Sequence, residues 1–155
     1  PFRMYKRYTH EGGVATPLIV HWPAGVKAKG ELRHAPSHII DVAPTCLSAA
    51  GLSDKGMEGE DLLPVFARDS KKKRTLYWEH EGNRDVRKGN HKLVAMHDTP
   101  WELYDLSKDR SELKDLSSTM PKKAEELRIA YATWAKRVGA LPWNEVNVKK
   151  KKKKN

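Results

Sequence analysis

The side chains best suited by type and spacing to act on an anionic group gather near the N-terminus. Lys6 stands five positions ahead of Glu11-Gly12-Gly13, between Arg3 and Arg7, and His10 immediately precedes that turn. An ammonium is a compact charge that stabilises negative charge developing on a reacting oxygen, and it becomes a proton donor where neighbours lower its pKa. Paired glycines let the main chain lie close to a neighbour or a ligand, as a loop reaching a pocket requires. Taken from residue type alone, a lysine beside two arginines is ordinarily a solvated charge, and a lone histidine is ordinarily a structural hydrogen-bonding group. A second polar cluster, His80, Asn83 and Arg84, surrounds the Gly82-Asn83 turn signal. It reads equally as a hairpin tip with surface polar groups or as the wall of a binding site.

Other chemistries find little support. His80-Glu81 lacks the second histidine of an H-E-x-x-H site, and Pro36 between His34 and His38 spoils the helical face that such a pair needs. No Asp-rich calcium loop and no glycine-rich phosphate loop occurs, so metal binding within this chain is not expected. Cys46, the single cysteine, excludes an internal disulfide and falls on an expected helix, where it reads as a small core hydrophobe.

The elements that must position these groups follow from pattern. Leu18-Ile19-Val20, after Pro17 and before Trp22-Pro23, reads as a strand buried on both faces within residues 14–22. Asp41 is an expected N-cap for a helix carrying Val42, Cys46, Leu47 and Ala50 and ended by Gly51. Residues 52–75 read as loop and linker, with Lys71-Lys72-Lys73-Arg74 a candidate boundary. Four strand-like pieces follow, Leu76 to His80, Asp85 to Arg87, Lys92 to Met96 and Trp101 to Leu106, at the spacing of a small antiparallel sheet. From Pro121 to Val138, Ala124, Leu127, Tyr131, Trp134 and Val138 recur at helical spacing, with Lys136, Arg137 and Gly139 at the end. That helix should pack across the sheet.

Beyond pattern, the Lys6 to Trp22-Pro23 stretch resembles the late active-site segment of the sulfatases, of arylsulfatase type. The resemblance continues through Ser37-His38-Ile39-Ile40-Asp41 with Pro44-Thr45, then Trp78-Glu79-His80-Glu81-Gly82-Asn83-Arg84, Lys92-Leu93-Val94 and Glu102-Leu103-Tyr104-Asp105-Leu106. It covers Pro1 to about Trp143. It implies an α/β fold, α+β within this chain: the edge of the large sulfatase sheet, then a small four-stranded antiparallel sheet packed by a long C-terminal helix. The implied divisions are 1–70, the end of the catalytic domain, 71–143, a sheet-and-helix subdomain, and 144–155, a disordered lysine-rich tail. Lys6 matches the family lysine that binds the sulfate group near the leaving oxygen, which makes it the catalytic candidate. His10, His80, Asn83 and Arg84 are substrate-side candidates.

The family nucleophile is a formylglycine made from a Cys or Ser in a Cys/Ser-x-Pro-x-Arg motif, beside acidic ligands for calcium. Cys46 lacks the required Pro and Arg. The resemblance therefore implies the C-terminal part of a sulfatase, with calcium and formylglycine in a preceding part, no cofactor in this one, and no turnover by this chain alone. The family mechanism is attack of the formylglycine hydrate on sulfur, release of the alcohol, and elimination of sulfate. Sulfate esters are the implied substrates, and export or a periplasmic location is suggested only by the family. A phosphate or phosphonate ester hydrolase of the same superfamily is the nearest alternative.

The formal net charge of +10 reflects Lys149 to Lys154, six consecutive lysines, without which it is +4. Such a run is ordinarily a solvated tail, and nonspecific attraction to polyanions is its other reading. A basic polyanion-binding module lacks the interleaved aromatic residues that recognition would need, so no specific nucleic-acid partner is expected. No apolar run reaches the roughly 18 residues of a membrane span, and no membrane partner is expected. A third reading, a noncatalytic folding remnant, leaves the 14–22 strand with open edges, and self-association of the isolated chain is expected from it.

Overall fold

The computed structural model describes residues 1–53, 56–70 and 73–146. The lysine run 149–154, and Lys71 and Lys72 of the basic run, lie outside the described residues. The chain divides into two compact units, one formed by Pro1–Pro17 together with the chain from Thr75 onward, the other by Leu18–Arg74.

In the first unit, a one-turn helix α1 (Glu11–Val14) precedes, by a long stretch of sequence, a four-stranded meander of β1 (Thr75–His80), β2 (Asn83–Lys88), β3 (His91–Ala95) and β4 (Glu102–Asp105). All three pairings are antiparallel, with Tyr77 opposite Val86, Val86 opposite Leu93, and Leu93 opposite Leu103. Glu81 and Gly82, with φ 52° and 83°, make the two-residue turn between β1 and β2, the left-handed geometry that matches strand twist. Because side chains alternate across a strand, Val86, Leu93 and Leu103 fall on one face. There they meet Leu127 and Tyr131 of the long helix α2, Pro121–Val138, and all five are buried.

The helix starts at Pro121, whose missing N–H costs nothing in the first turn, and ends at Gly139 with φ 71°, the left-handed cap that glycine adopts freely. The expected apolar stripe holds at Ala124, Leu127, Tyr131 and Trp134, with Trp134 stacked on Tyr77 at 5.0 Å between centroids, whereas Val138 is exposed. The other face of the sheet carries Asp85, Lys92, Val94 and Tyr104, all buried. Polar residues alternating along these strands thus do not mark a solvent face.

In the Leu18–Arg74 unit, a 3-10 turn (Ile39–Asp41) leads into an eight-residue helix (Val42–Ala49), and a short helix (Leu63–Ala67) follows where residues 52–75 were expected to be loop. Pro64 sits in the first turn of that short helix, a position that favours helix entry. Asp41 does not cap the eight-residue helix with its side chain. Its carboxylate instead accepts from His38 N at 2.7 Å and Glu60 N at 2.9 Å and takes both Nη atoms of Arg74, at 2.6 and 2.9 Å. Thr45 anchors the same helix, donating to Asp41 O and accepting from Leu62 N. That contact turns Pro44 and Thr45 inward and leaves Cys46 exposed, so Cys46 is not a core residue.

The strand expected over 14–22 is absent. Val14 ends α1, and Leu18, Ile19, Val20 and Trp22 are exposed with no ladder beside them among the described residues. A strand requires a hydrogen-bonding neighbour, and apolar character alone does not supply one. His38-Ile39-Ile40 likewise closes into the 3-10 turn because the His38 ring accepts from Ile40 N while Asp41 accepts from His38 N.

Candidate functional site

Residues 3–8 form a loop laid across α1. Met4 and Lys6 both have positive φ, 59° and 50°, uncommon for residues with side chains. Gly12 N donates to Arg3 O at 2.9 Å. A Cβ built on Gly12 would overlap the Met4 carbonyl oxygen, and one on Gly13 would overlap that of Tyr8 and lie 3.0 Å from that of Lys6. The paired glycines therefore serve a close approach between two pieces of backbone. Lys6 itself extends into solvent.

The loop and α1 rest on the polar face of the sheet. Arg3 donates through Nη1 to Glu102 Oε2 at 2.8 Å and to Tyr104 Oη at 2.6 Å, and Tyr104 Oη donates to Glu102 at 2.9 Å. His10, only 1% exposed, places Nε2 3.3 Å from Glu102 Oε2, while its Nδ1 is buried without a partner. Burial lowers the His10 pKa, more than the nearby carboxylates raise it. Burial alone would raise Glu102, but hydrogen bonds from Arg3, Tyr104 and His10 outweigh it and hold the carboxyl below its ordinary range. Beside this group, three carboxylates converge on the buried Lys92 Nζ: Glu112 at 3.0 Å, Glu11 at 3.2 Å and Asp85 at 3.4 Å. Arg110 reaches the other oxygen of Glu11 at 3.3 Å, and Glu11 N donates to Glu112 Oε2 at 2.8 Å. Burial alone would lower Lys92, yet the three carboxylates prevail and raise it, so it stays charged. Asp85 goes the other way: burial, with Glu112 and Glu11 adding to it against Lys92, pushes its carboxyl up to about 7.

The two clusters singled out in the sequence meet through Arg7. Asn83 Nδ2 donates to Arg7 O at 3.4 Å and to His80 O at 2.9 Å, Asn83 Oδ1 accepts from His97 N at 3.3 Å, and Arg7 Nη1 lies 3.2 Å from Glu81 Oε2. The Lys6 loop is thus tied to the β1–β2 turn. His80 is exposed there, Asn83 is buried, and Arg84 stacks on Trp101 at 4.7 Å while donating to Thr99 O at 3.4 Å. The arrangement presents one ammonium, Lys6, from a backbone pinned at Arg3, Arg7, Gly12 and Gly13, with an imidazole on the adjoining hairpin. A held cation of this kind can bind an anion and stabilise charge developing on it.

Sequence reasoning missed Arg3, Glu11, Lys92, Glu102 and Glu112 as parts of this assembly. The available signal was Lys92 alternating with Leu93 and Val94 in a strand otherwise built for burial. In the Leu18–Arg74 unit, a cleft of about 500 Å³ runs along Ala35, Glu60, Leu62, Arg68 and Arg74 and holds none of the candidate residues. Among the described residues, no group of three or more His, Cys, Asp or Glu side chains is arranged to hold a metal ion, and no helix is long and apolar enough to cross a membrane.

Comparison with known proteins gives a consistent picture. Residues 2–132 match the family model described as N-sulphoglucosamine sulphohydrolase, C-terminal. An uncharacterized sulfatase of Schizosaccharomyces pombe is 31% identical over 144 residues, covering 82% of this chain and 26% of that protein. The N-acetylgalactosamine-6-sulfatase of Sus scrofa is 36% identical over 86 residues, covering 54% of this chain and 16% of its own length. The crystal structure of Ps i-CgsB superposes with a TM-score of 0.76 at 25% identity, over 87% of this chain and 32% of that one. The small sheet and long helix match that structure, while the chain spans about a quarter of the Schizosaccharomyces pombe relative.

Proposed function

The chain belongs to the N-sulphoglucosamine sulphohydrolase C-terminal family, and on that premise we propose that it is the C-terminal portion of a sulfuric ester hydrolase in which Lys6 meets the sulfate group. The observation that carries this reading is the Lys6 loop, which lies inside the matched segment and is fixed at its backbone while its ammonium stays free to meet an anion. As an S–O bond breaks, charge grows on the sulfonyl oxygens and the leaving oxygen, and a cation already in place stabilises both without reorganising. His80 approaches the ester from the hairpin, and Arg84, on the α2 face of β2, supports that hairpin through Trp101 and Thr99 O. His10 and Asn83 contribute to substrate binding from beneath, through the loop they hold. Residues 1–70 are assigned to the end of the catalytic domain and 71–143 to the C-terminal subdomain, with Pro1–Pro17 packed in one unit with the latter.

The family description and the aminosugar sulfatase among the relatives support a sulfated carbohydrate as the substrate class. Sulfatases use calcium and a formylglycine. The residues described here do not fit either group: no acidic cluster is arranged for metal, and Cys46 lies in Pro44-Thr45-Cys46-Leu47-Ser48 without the flanking Pro and Arg. No step is assigned to them in this chain.

In the enzyme carrying this segment, Lys6→Ala is expected to lower kcat on a sulfate ester by about 10²- to 10³-fold, the usual effect of losing one oxyanion partner. Undiminished turnover, or faster cleavage of the matching phosphate ester, would overturn the reading. The exposed Leu18, Ile19 and Trp22 support self-association of the isolated chain, and a monodisperse monomer in sedimentation would contradict it.

A further inference from the structure

We propose that Lys92 is a positioning residue for Lys6, acting through α1. The inference rests on the sulfate-contacting reading of Lys6. Lys92 is only 1% exposed, yet it sits in a sheet whose other face buries Val86, Leu93 and Leu103 against α2. A buried ion cluster is a poor way to gain stability, because well-packed apolar residues in its place are often neutral or better. What the cluster does fix is the location of one short helix.

Glu11, the first residue of α1, is held from three sides: its carboxylate by Lys92 and Arg110, its N–H by Glu112. Glu112 is itself bound to Lys92 and stands at φ 54°, a backbone conformation that a side-chain-bearing residue adopts only where its surroundings impose it. Asp85 completes the ring around the ammonium. The next two residues are Gly12 and Gly13, and on their backbone the carbonyls of Arg3, Met4, Lys6 and Tyr8 rest. The path from one lysine to the other is therefore short and stiff. Lys92 sets Glu11 and Glu112, these set the height of α1 above the sheet, and α1 sets the Lys6 backbone.

Amide hydrogen exchange in the 155-residue chain provides the first test. The amides of Gly12, Gly13, Val14 and Ala15 are all hydrogen-bonded, so their exchange reports the seating of α1. Lys92→Met is expected to speed their exchange at least tenfold while leaving Val86, Leu93 and Leu103 within threefold of the parent. Equal loss of protection in helix and sheet, or none at Gly12 and Gly13, would overturn the proposal. Should Lys92→Met not fold, Glu112→Gln keeps the size of the side chain and carries the same expectations.

The second test is a double-mutant cycle in the enzyme carrying this segment. Lys92→Met is expected to lower kcat, and to add nothing once Lys6→Ala is present. Additive losses would make Lys92 a contributor to stability with no special link to Lys6. If Lys6→Ala leaves turnover unchanged, the sulfate-contacting role of Lys6 falls, and the exchange data still decide whether Lys92 seats the loop.

Discussion

Replacing Asp85 with asparagine should change how stability depends on pH. Asp85 has no exposed surface, its two oxygens lack an aligned hydrogen-bond donor, and Lys92 Nζ stands at 3.4 Å, the edge of bonding reach. Burial, reinforced by Glu112 and Glu11 against Lys92, raises its carboxyl from 3.8 to about 7. A carboxyl that holds its proton more tightly when folded stabilises the fold fully below its unfolded pKa, and the contribution is lost as pH rises through the folded value. Over a shift of that size the loss is on the order of 4 kcal/mol, accumulating at about 1.4 kcal/mol per pH unit between roughly pH 4 and pH 7. Asparagine keeps the shape and does not titrate. The gap between Asp85→Asn and the parent chain should therefore grow in favour of the variant by about 2 kcal/mol or more from pH 5 to pH 7, and level off above. Urea unfolding followed by tryptophan fluorescence reads this directly, since Trp101 and Trp134 pack against the apolar core. A gap that stays constant from pH 5 to pH 8 would refute the reasoning.

Leu127→Ala, at a fully buried position facing Val86, Leu93 and Leu103, should cost about 3 to 4 kcal/mol through lost transfer energy and the cavity left behind, measured as a lower urea midpoint with an unchanged slope. Arg74→Met should cost the Leu18–Arg74 unit about 3 to 5 kcal/mol, because it strands the buried Asp41 carboxylate; faster proteolysis within that unit would report it. Burial alone would raise the Asp41 pKa, but the Arg74 hydrogen bonds and two backbone N–H groups bring it below its ordinary value. Its stabilisation is thus present above the normal carboxylate range and lost as pH falls below it, and Arg74→Met should weaken that acid sensitivity.

The parts legible in the sequence were those written in local periodicity. The stripe from Ala124 to Trp134, the glycine after Val138 and the turn signal at Gly82 placed the long helix and the first hairpin to within two residues. Two things were not local. The run Leu18-Ile19-Val20 has the composition of a strand, but whether it becomes one depends on a neighbour that no window around it contains. The polar alternation of β2 to β4 fits a solvent face equally well, and what covers it includes the segment 3–14, about 80 to 100 positions away. The site followed the same rule: Lys6 and the His80–Arg84 cluster stood out singly, while their connection through Arg7 and Asn83 has no trace in spacing.

That the first seventeen residues belong with the sheet, across the whole of the other unit, sets an order of events during synthesis. Asn83, which takes the Arg7 carbonyl, is 76 residues further along, and Glu102, which takes Arg3, is 99. At ordinary translation rates the ribosome needs roughly 5 to 20 seconds to deliver them. Throughout that interval the Lys6 segment lacks the sheet that seats it, and closure across so long a loop must wait for the meander to form. Within this segment, the cation assigned to the sulfate group is therefore made well before the sheet that seats it, and its backbone takes its final place only after that sheet has formed.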